Sequence, residues 1–282
     1  MAGPGRETRG IVDAPDLFTR VRFRLRDPAP ELRPYLEHYW LIDWDLSEPY
    51  TSRVVPHPSV HLVFERTESG GEARRAGSAE VYGIVQGLFS QRLEGRGRVC
   101  GVKFRPGAFR PFAPQRPVSE WTGRRVPADE VLVAPDVARG HRPSASATVP
   151  AVLDPADEDA RVAALDSYVL SLLPRPDPQA ELATELAELV RTDRSLLRVD
   201  SLARAGGLSV RSLQRLFSTC VGVGPKWVIL RHRIHEALRR AGSDPEPDWA
   251  RLAADLGYSD QAHLVRDFTA TVGVPPAAFA QR

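Results

Sequence analysis

Leu202-Ala203-Arg204-Ala205-Gly206-Gly207-Leu208-Ser209, followed by Leu213, Arg215 and Phe217, has a second version further along the chain. That version is Leu252-Ala253-Ala254-Asp255-Leu256-Gly257-Tyr258-Ser259, followed by Leu264, Arg266 and Phe268. The offset is 50 residues as far as the turn and 51 beyond it, through Gly222-Val223-Gly224-Pro225 and Gly273-Val274-Pro275-Pro276. Each unit reads as a helix, a tight turn at glycine and a second helix opened by a capping residue. That is a helix-turn-helix pattern, present in tandem.

The second helix of each unit divides into two faces. In the first unit Ser209 is a natural N-cap and Leu213 and Phe217, four residues apart, point inward. Arg211, Ser212, Gln214 and Arg215 are left on the outer side or its edges. In the second unit Asp260 is the cap and Leu264 and Phe268 point inward, so Gln261, Ala262, His263 and Arg266 face out. An α-helix fits the major groove of B-DNA, and Arg and Gln carry the donors and acceptors that read guanine and adenine edges. One such hairpin is weak grounds for DNA binding, because helical hairpins with glycine turns are common core elements. Two in phase are much stronger grounds.

The segment between the units points the same way. Pro225 and Ala241-Gly242 bracket about 17 residues, roughly 25 Å of helix. Successive major-groove faces lie about 34 Å apart. A rod of that length lets one chain address two grooves without twofold symmetry. From Arg204 to Arg240 the cations are Arg204, Arg211, Arg215, Lys226, Arg231, Arg233, Arg239 and Arg240, opposed only by Glu236. Such a field draws a polyanion. Arg231 and Arg233, on the rod itself, are expected to contact phosphates.

The chain as a whole supports this reading without requiring it. Its 282 residues suffice for one large or two medium domains, and 42% hydrophobic with 26% charged residues is the composition of a soluble globular protein. Net charge is only +2, so the polyanion signal lies in the distribution of charge. No apolar run approaches a membrane span and residues 1–20 lack the apolar core of a signal peptide, so no membrane partner and a cytoplasmic location are expected. Cys100 and Cys220 lie in different halves and read as buried reduced thiols.

Residues 1–16 read as frayed. Short extended segments follow at Phe23–Glu31, towards Trp44, and at Ser59–Glu65, Val81–Phe89 and Arg98–Phe104. Gly/Pro/Ser clusters separate them, which indicates an antiparallel β domain, a barrel or sandwich. Residues 136–150 read as loop. Asp157–Leu173 reads as an amphipathic helix with Val162, Leu165, Val169 and Leu172 on one stripe. It is a candidate dimer helix, though packing on its own β domain is the commoner fate of such a stripe. Pro174-Arg175-Pro176-Asp177-Pro178 is a stiff linker. The expected organisation is therefore a β-rich domain over residues 1–173, a linker over 174–178 and a helical domain over 179–282, an α+β chain.

The second unit, Leu252-Ala253-x-x-Leu256-Gly257-Tyr258-Ser259-Asp260-Gln261-Ala262-His263-Leu264-x-Arg266-x-Phe268 with Gly273-Val274-Pro275-Pro276, resembles the AraC/XylS family of bacterial transcriptional regulators. The resemblance covers Gln179–Arg282. It implies two helix-turn-helix subdomains joined by a linker helix, and a sequence-specific DNA-binding role. Base-reading roles then fall on Arg211, Gln214 and Arg215 in the first unit and on Gln261, His263 and Arg266 in the second. Asp260 departs from the small polar residue often found there; it caps the helix or accepts from a cytosine amino group. Glu37-His38-Tyr39-Trp40, Val55-Pro56-His57-Pro58-Ser59 and Gly101-Val102-Lys103-Phe104-Arg105-Pro106-Gly107-Ala108-Phe109 resemble a sensory domain of one subset of these regulators. That implies a cupin-like β barrel with appended helices and names no ligand.

A small-molecule effector, a second copy of the chain and RNA polymerase are the further partners such a regulator implies. Effector candidates are the aromatic residues Tyr39, Trp40 and Trp44 and the cations Lys103 and Arg105, against core packing and solvated charge as the plainer alternatives. His57, His61 and Glu65 carry metal-ligand chemistry, but no second histidine pair supports them, so neither a metal nor another cofactor is expected. Nothing resembles a nucleophile with its base or a phosphate-cradling glycine loop, and an enzyme reading rests on fold analogy alone.

Overall fold

The computed structural model describes residues 10–69, 76–132, 144–243 and 247–281. Six strands, β1 (Val21–Arg26), β2 (Leu36–Val54), β3 (His61–Thr67), β4 (Ser78–Tyr82), β5 (Phe89–Phe104) and β6 (Arg125–Pro127), form one antiparallel sheet. Their order is β1-β2-β5-β3-β4-β6. The expected strand at Val81–Phe89 is replaced by the end of β4 and a connection. The strand expected at Arg98–Phe104 is the last part of a much longer β5. Glycines at 95, 97 and 101 conceal that length in the sequence, since glycine weakens a strand signal.

Those glycines have a structural role. Trp40 stands opposite Gly101 across the β2–β5 ladder, and Trp44 opposite Gly97. Each indole lies over the glycine facing it: a Cβ at Gly101 would come within 2.0 Å of Trp40, and one at Gly97 within 2.1 Å of Trp44. This side of the sheet is a small core of Leu17, Val21, Trp44, Val63, Leu93 and Val99, with Trp40 packed against it. The other side carries Tyr39, Leu41, Leu62, Phe64, Cys100, Val102 and Phe104, all within the main core.

Helices pack on both sides: Leu17 of the first lies in the small core, and the three between Ala128 and Ser171 cover the second side. The helices are numbered here α1 (Ala14–Arg20), α2 (Ala128–Val131), α3 (Ala145–Leu153), α4 (Glu158–Ser171), α5 (Pro178–Thr192), α6 (Val199–Ala205), α7 (Val210–Leu216), α8 (Pro225–Ala241), α9 (Trp249–Asp255), α10 (Gln261–Val272) and α11 (Pro276–Ala280). α4 packs on its own sheet: Val162, Leu165 and Val169 are buried, Tyr168 meets Phe64 edge-on at 5.8 Å, and the Tyr39 hydroxyl donates to Asp166 at 2.7 Å. Arg161, 1% exposed, reaches under α4 to Asp43 of β2 at 3.1 Å. Two expectations are corrected. Part of the expected loop at 136–150 is helix, because Ser144 caps α3 and the Asp129 carboxylate accepts the Ala145 and Ser146 amides; residues 136–143 lie outside the described part. Part of the expected frayed start is α1, whose Leu17 is buried beside β1, while residues 1–9 are outside it.

The proline-rich stretch at 174–178 is fastened to the β half. The Arg175 amide donates to Pro111 O at 3.0 Å, and Asp177 both caps α5 and pairs with Arg110. The main core runs without a break from Leu32 in the β half to Ile229 in α8.

Candidate nucleic-acid interface

The two helical hairpins have the expected internal order. α6 and α7 are separated by Gly206-Gly207, and the Ser209 hydroxyl caps α7 by accepting the Ser212 amide at 3.1 Å. α9 and α10 are separated by Gly257, and Asp260 caps α10 by accepting the His263 amide at 2.7 Å. Leu213, Phe217, Leu264 and Phe268 are each 0% exposed. Removing one of these side chains forfeits burial and leaves a cavity, at roughly 3–5 kcal/mol, so they fix the pose of the outer faces. The α-helical part of α7 ends at Leu216. From Phe217 to Val221 the chain widens into a π turn that ends at Gly222.

The outer faces carry the expected side chains. Arg211, Gln214 and Arg215 are exposed on α7, with Ser212 half-buried at its edge; Gln261 and Arg266 are exposed on α10, with His263 half-exposed between them. Among the described residues, Arg211, Arg215, Lys226 and Arg266 form no ion pair, whereas the other cations of the basic run are engaged. Arg204 pairs with Asp200, and Arg239 and Arg240 pair with Glu236. Asp260 is a cap at solvent. The His263 amide and then the Ser259 hydroxyl hold its carboxyl below the ordinary range, and Arg266 adds to this.

Arg231 and Arg233 do not stand where expected, and their expected role as phosphate contacts is corrected. Arg231 is 4% exposed, stacks over Trp227 at 4.5 Å and donates to Gln86 O of the β half at 2.5 Å. Arg233 donates to Leu197 O at 2.6 Å and lies over the Tyr258 ring. Spacing along α8 could not reveal this, because the groups that receive them come from distant parts of the chain.

The β half holds both hairpins. Thr122 Oγ1 donates to Gly222 O at 2.7 Å, and Ser218 Oγ donates to Ser119 Oγ at 3.2 Å, so the π turn of the first unit rests on the Val118–Trp121 turn. Val12 and Val55 belong to the same buried cluster as Leu252, Leu264 and Phe268 of the second unit. His235 of α8 stacks on His57 and shares a hydrogen bond with Pro56 O at 3.2 Å.

The five effector candidates do not converge on one pocket. Tyr39 is in the main core, while Trp40 and Trp44 pack over glycines on the opposite side; Trp40 Nε1 donates to His61 Nδ1 at 3.1 Å. Lys103 is buried and pairs with Glu37 at 3.0 Å, and Arg105 donates to Arg33 O at 2.9 Å. Trp44 lines an open cleft of about 700 Å³, with Arg22, Asp43, Arg66, Arg96 and Arg98. Its guanidinium groups are paired with carboxylates. His57, His61 and Glu65 are dispersed: His57 faces α8, His61 faces Trp40, and Glu65 accepts from the Tyr82 hydroxyl.

A family model described as a helix-turn-helix domain matches residues 202–282. Residues 202–282 are an AraC-type helix-turn-helix domain. The domain supports DNA-binding transcription regulation. A second family model, described as a domain of unknown function (DUF6597), matches residues 25–127 of the β half. No curated protein sequence matches the chain. Among solved structures, ToxT from Vibrio cholerae at 1.65 Å resolution aligns with 93% of this chain and 98% of its own, at 11% identity and a TM-score of 0.41. An unsaturated fatty acid-bound ToxT aligns with 93% of each chain at 11% identity and a TM-score of 0.35. Among the described residues no helix is long and apolar enough to cross a membrane.

Proposed function

We propose that the chain reads double-stranded DNA by laying α7 and α10 in successive major grooves, with Arg211, Gln214 and Arg215 reading one and Gln261, His263 and Arg266 the other. The observation that carries this is charge selection. Of the cations near the hairpins, Arg211, Arg215, Lys226, Arg251 and Arg266 are exposed and outside the ion pairs of the described residues, three of them on the outer faces of α7 and α10, while Arg231 and Arg233 serve the interior. Phosphate attraction then falls to Lys226 and the outward arginines. In this reading the chain is a non-enzymatic regulator acting on the chromosome in the cytoplasm. Residues 1–173 and 179–282 are its two functional halves, joined at 174–178.

We further propose that the β half governs the DNA-binding half through α8. Its contacts at Thr122, Gln86 and Pro56 fix the placement of one hairpin relative to the other, so an effector or a second copy of the chain bound to the sheet would act by shifting them. Recruitment of RNA polymerase would follow from the DNA-bound state.

The test is binding-site selection from random DNA. Arg211→Ala and Arg266→Ala should each relax the preference at separate positions about one helical turn apart, at roughly 1–3 kcal/mol for the preferred base. Equal losses on every sequence would reduce these side chains to phosphate contacts. No selected sequence at all would end the DNA reading.

A further inference from the structure

The second hairpin carries a hydrogen-bond chain whose direction can be deduced. Asp260 Oδ2 accepts from the Ser259 hydroxyl at 3.1 Å, while Asp260 Oδ1 accepts the His263 amide. Ser259 Oγ also lies 3.2 Å from His263 Nδ1. A hydroxyl has one proton, and a carboxylate can only accept it. With that proton given to Asp260, Ser259 Oγ offers His263 only lone pairs, so Nδ1 must carry the hydrogen. A neutral imidazole protonated at Nδ1 presents Nε2 as an acceptor.

The surroundings hold that ring and bias what it can meet. Tyr258 packs against it edge-on, with centroids 5.1 Å apart, and the side chain remains 43% exposed. Asp267, one turn further along α10, places its carboxylate 3.7 Å from Nε2, beyond hydrogen-bond distance; it opposes a second acceptor there and Nε2's own lone pair as well, so the Nδ1 hydrogen rests on the Ser259–Asp260 chain alone. The first hairpin has no counterpart: at the equivalent place Ser212 Oγ lies 2.9 Å from Ser209 Oγ, and either atom can donate.

We infer that Ser259 is a positioning residue that fixes the tautomer of His263, so that the second recognition helix reads an exocyclic amino group in the major groove, on adenine or cytosine, through His263 Nε2. Guanine is rejected at that position, because its N7 and O6 edge presents two acceptors to an acceptor and a nearby carboxylate. The inference rests on the proposal that α10 enters the major groove.

The experiment selects bound sites from a random duplex library at pH 8 with the full-length chain and its Ser259→Ala, Ser259→Thr and His263→Ala variants, each checked for an unchanged melting temperature. The wild type should enrich adenine or cytosine at one position in the half of the site that survives Arg211→Ala. His263→Ala and Ser259→Ala should both lose that enrichment, and Ser259→Thr, which keeps the hydroxyl, should restore it. If the selected base is adenine, replacing it with hypoxanthine, which exchanges the amino group for a carbonyl, should weaken wild-type binding roughly tenfold and leave His263→Ala binding unchanged. Guanine at that position overturns the inference, as does Ser259→Ala binding with wild-type preference. Both results leave the wider DNA reading intact, provided the Arg211-dependent positions are still selected. Failure to enrich any sequence overturns both.

Discussion

The imidazole rings of His57 and His235 lie parallel, 9° apart, with their centroids 3.8 Å from each other. One ring follows β2 in the β half and the other projects from α8, the helix that joins the two hairpins. His235 also meets Pro56 O, so this contact decides where the joining helix rests. Burial pushes the His235 imidazole down to about 3, with His232, Arg231 and Lys103 acting in the same sense and the Pro56 carbonyl against it. Burial likewise pushes His232 down to about 4 and His61 down to about 3.

These histidines are packed as neutral rings, so the sign of the pH dependence is fixed. The stability they contribute is complete above the ordinary imidazole value of 6.5 and is lost as pH falls from there towards 3. Each group that must take up a proton on release adds about 1.4 kcal/mol per pH unit to the slope. Denaturant unfolding between pH 6 and pH 4 should therefore show steeply falling stability. His235→Gln should remove about one such increment. An unchanged slope would place the acid sensitivity elsewhere.

Arg231 tests the reassignment of the linker helix. Burial pushes its guanidinium down to about 10. Arg231→Ala should cost roughly 2–3 kcal/mol, because a buried hydrogen bond and the stack on Trp227 are lost together. Arg231→Met, which fills the same space without charge, should sit closer to the wild type. Neither variant should change the salt slope of DNA binding, whereas Lys226→Ala should reduce it by about one. A reduced slope for Arg231→Met would return that residue to the DNA surface.

The glycines of the two turns are unequal. Gly207 has φ +62 with open space beyond its Cα, while Gly257 has φ +72 and a Cβ there would approach Leu197 Cδ1 to 2.5 Å. Gly207→Ala should cost about 1–2 kcal/mol for the left-handed backbone alone. Gly257→Ala should cost that and about 1–3 kcal/mol more for overpacking. Thermal melts of the two variants compare them directly, and equal losses would mean that Leu197 yields.

Burial pushes both the Cys100 and the Cys220 thiols up to about 11. An aromatic disulfide reagent at pH 8 should leave the native chain unlabelled and react with both thiols only as the chain unfolds. Rapid labelling of the native protein would show that one of these sites opens.

The sequence determined what is local and periodic. The spacing of Leu213 with Phe217 and of Leu264 with Phe268 set the inner face of each recognition helix, and Ser209 and Asp260 set where each begins. The stripe Val162, Leu165, Val169 sufficed to place α4. The candidate readers Arg211, Gln214, Arg215, Gln261 and Arg266 stand exposed because a helical period leaves little choice about which side they take. The tertiary structure decided everything that depends on a partner distant in the chain. Arg231 and Arg233 look like surface charge until Gln86 O and Leu197 O receive them. Trp40 and Trp44 look like pocket walls until β5 sets Gly101 and Gly97 beneath them. The proline stretch at 174–178 looks like a stiff linker alone until Pro111 and Arg110 fasten it to the β half. Helical periodicity is fixed within a few turns of chain, whereas the use of a buried charge or an aromatic face depends on which distant backbone folds against it.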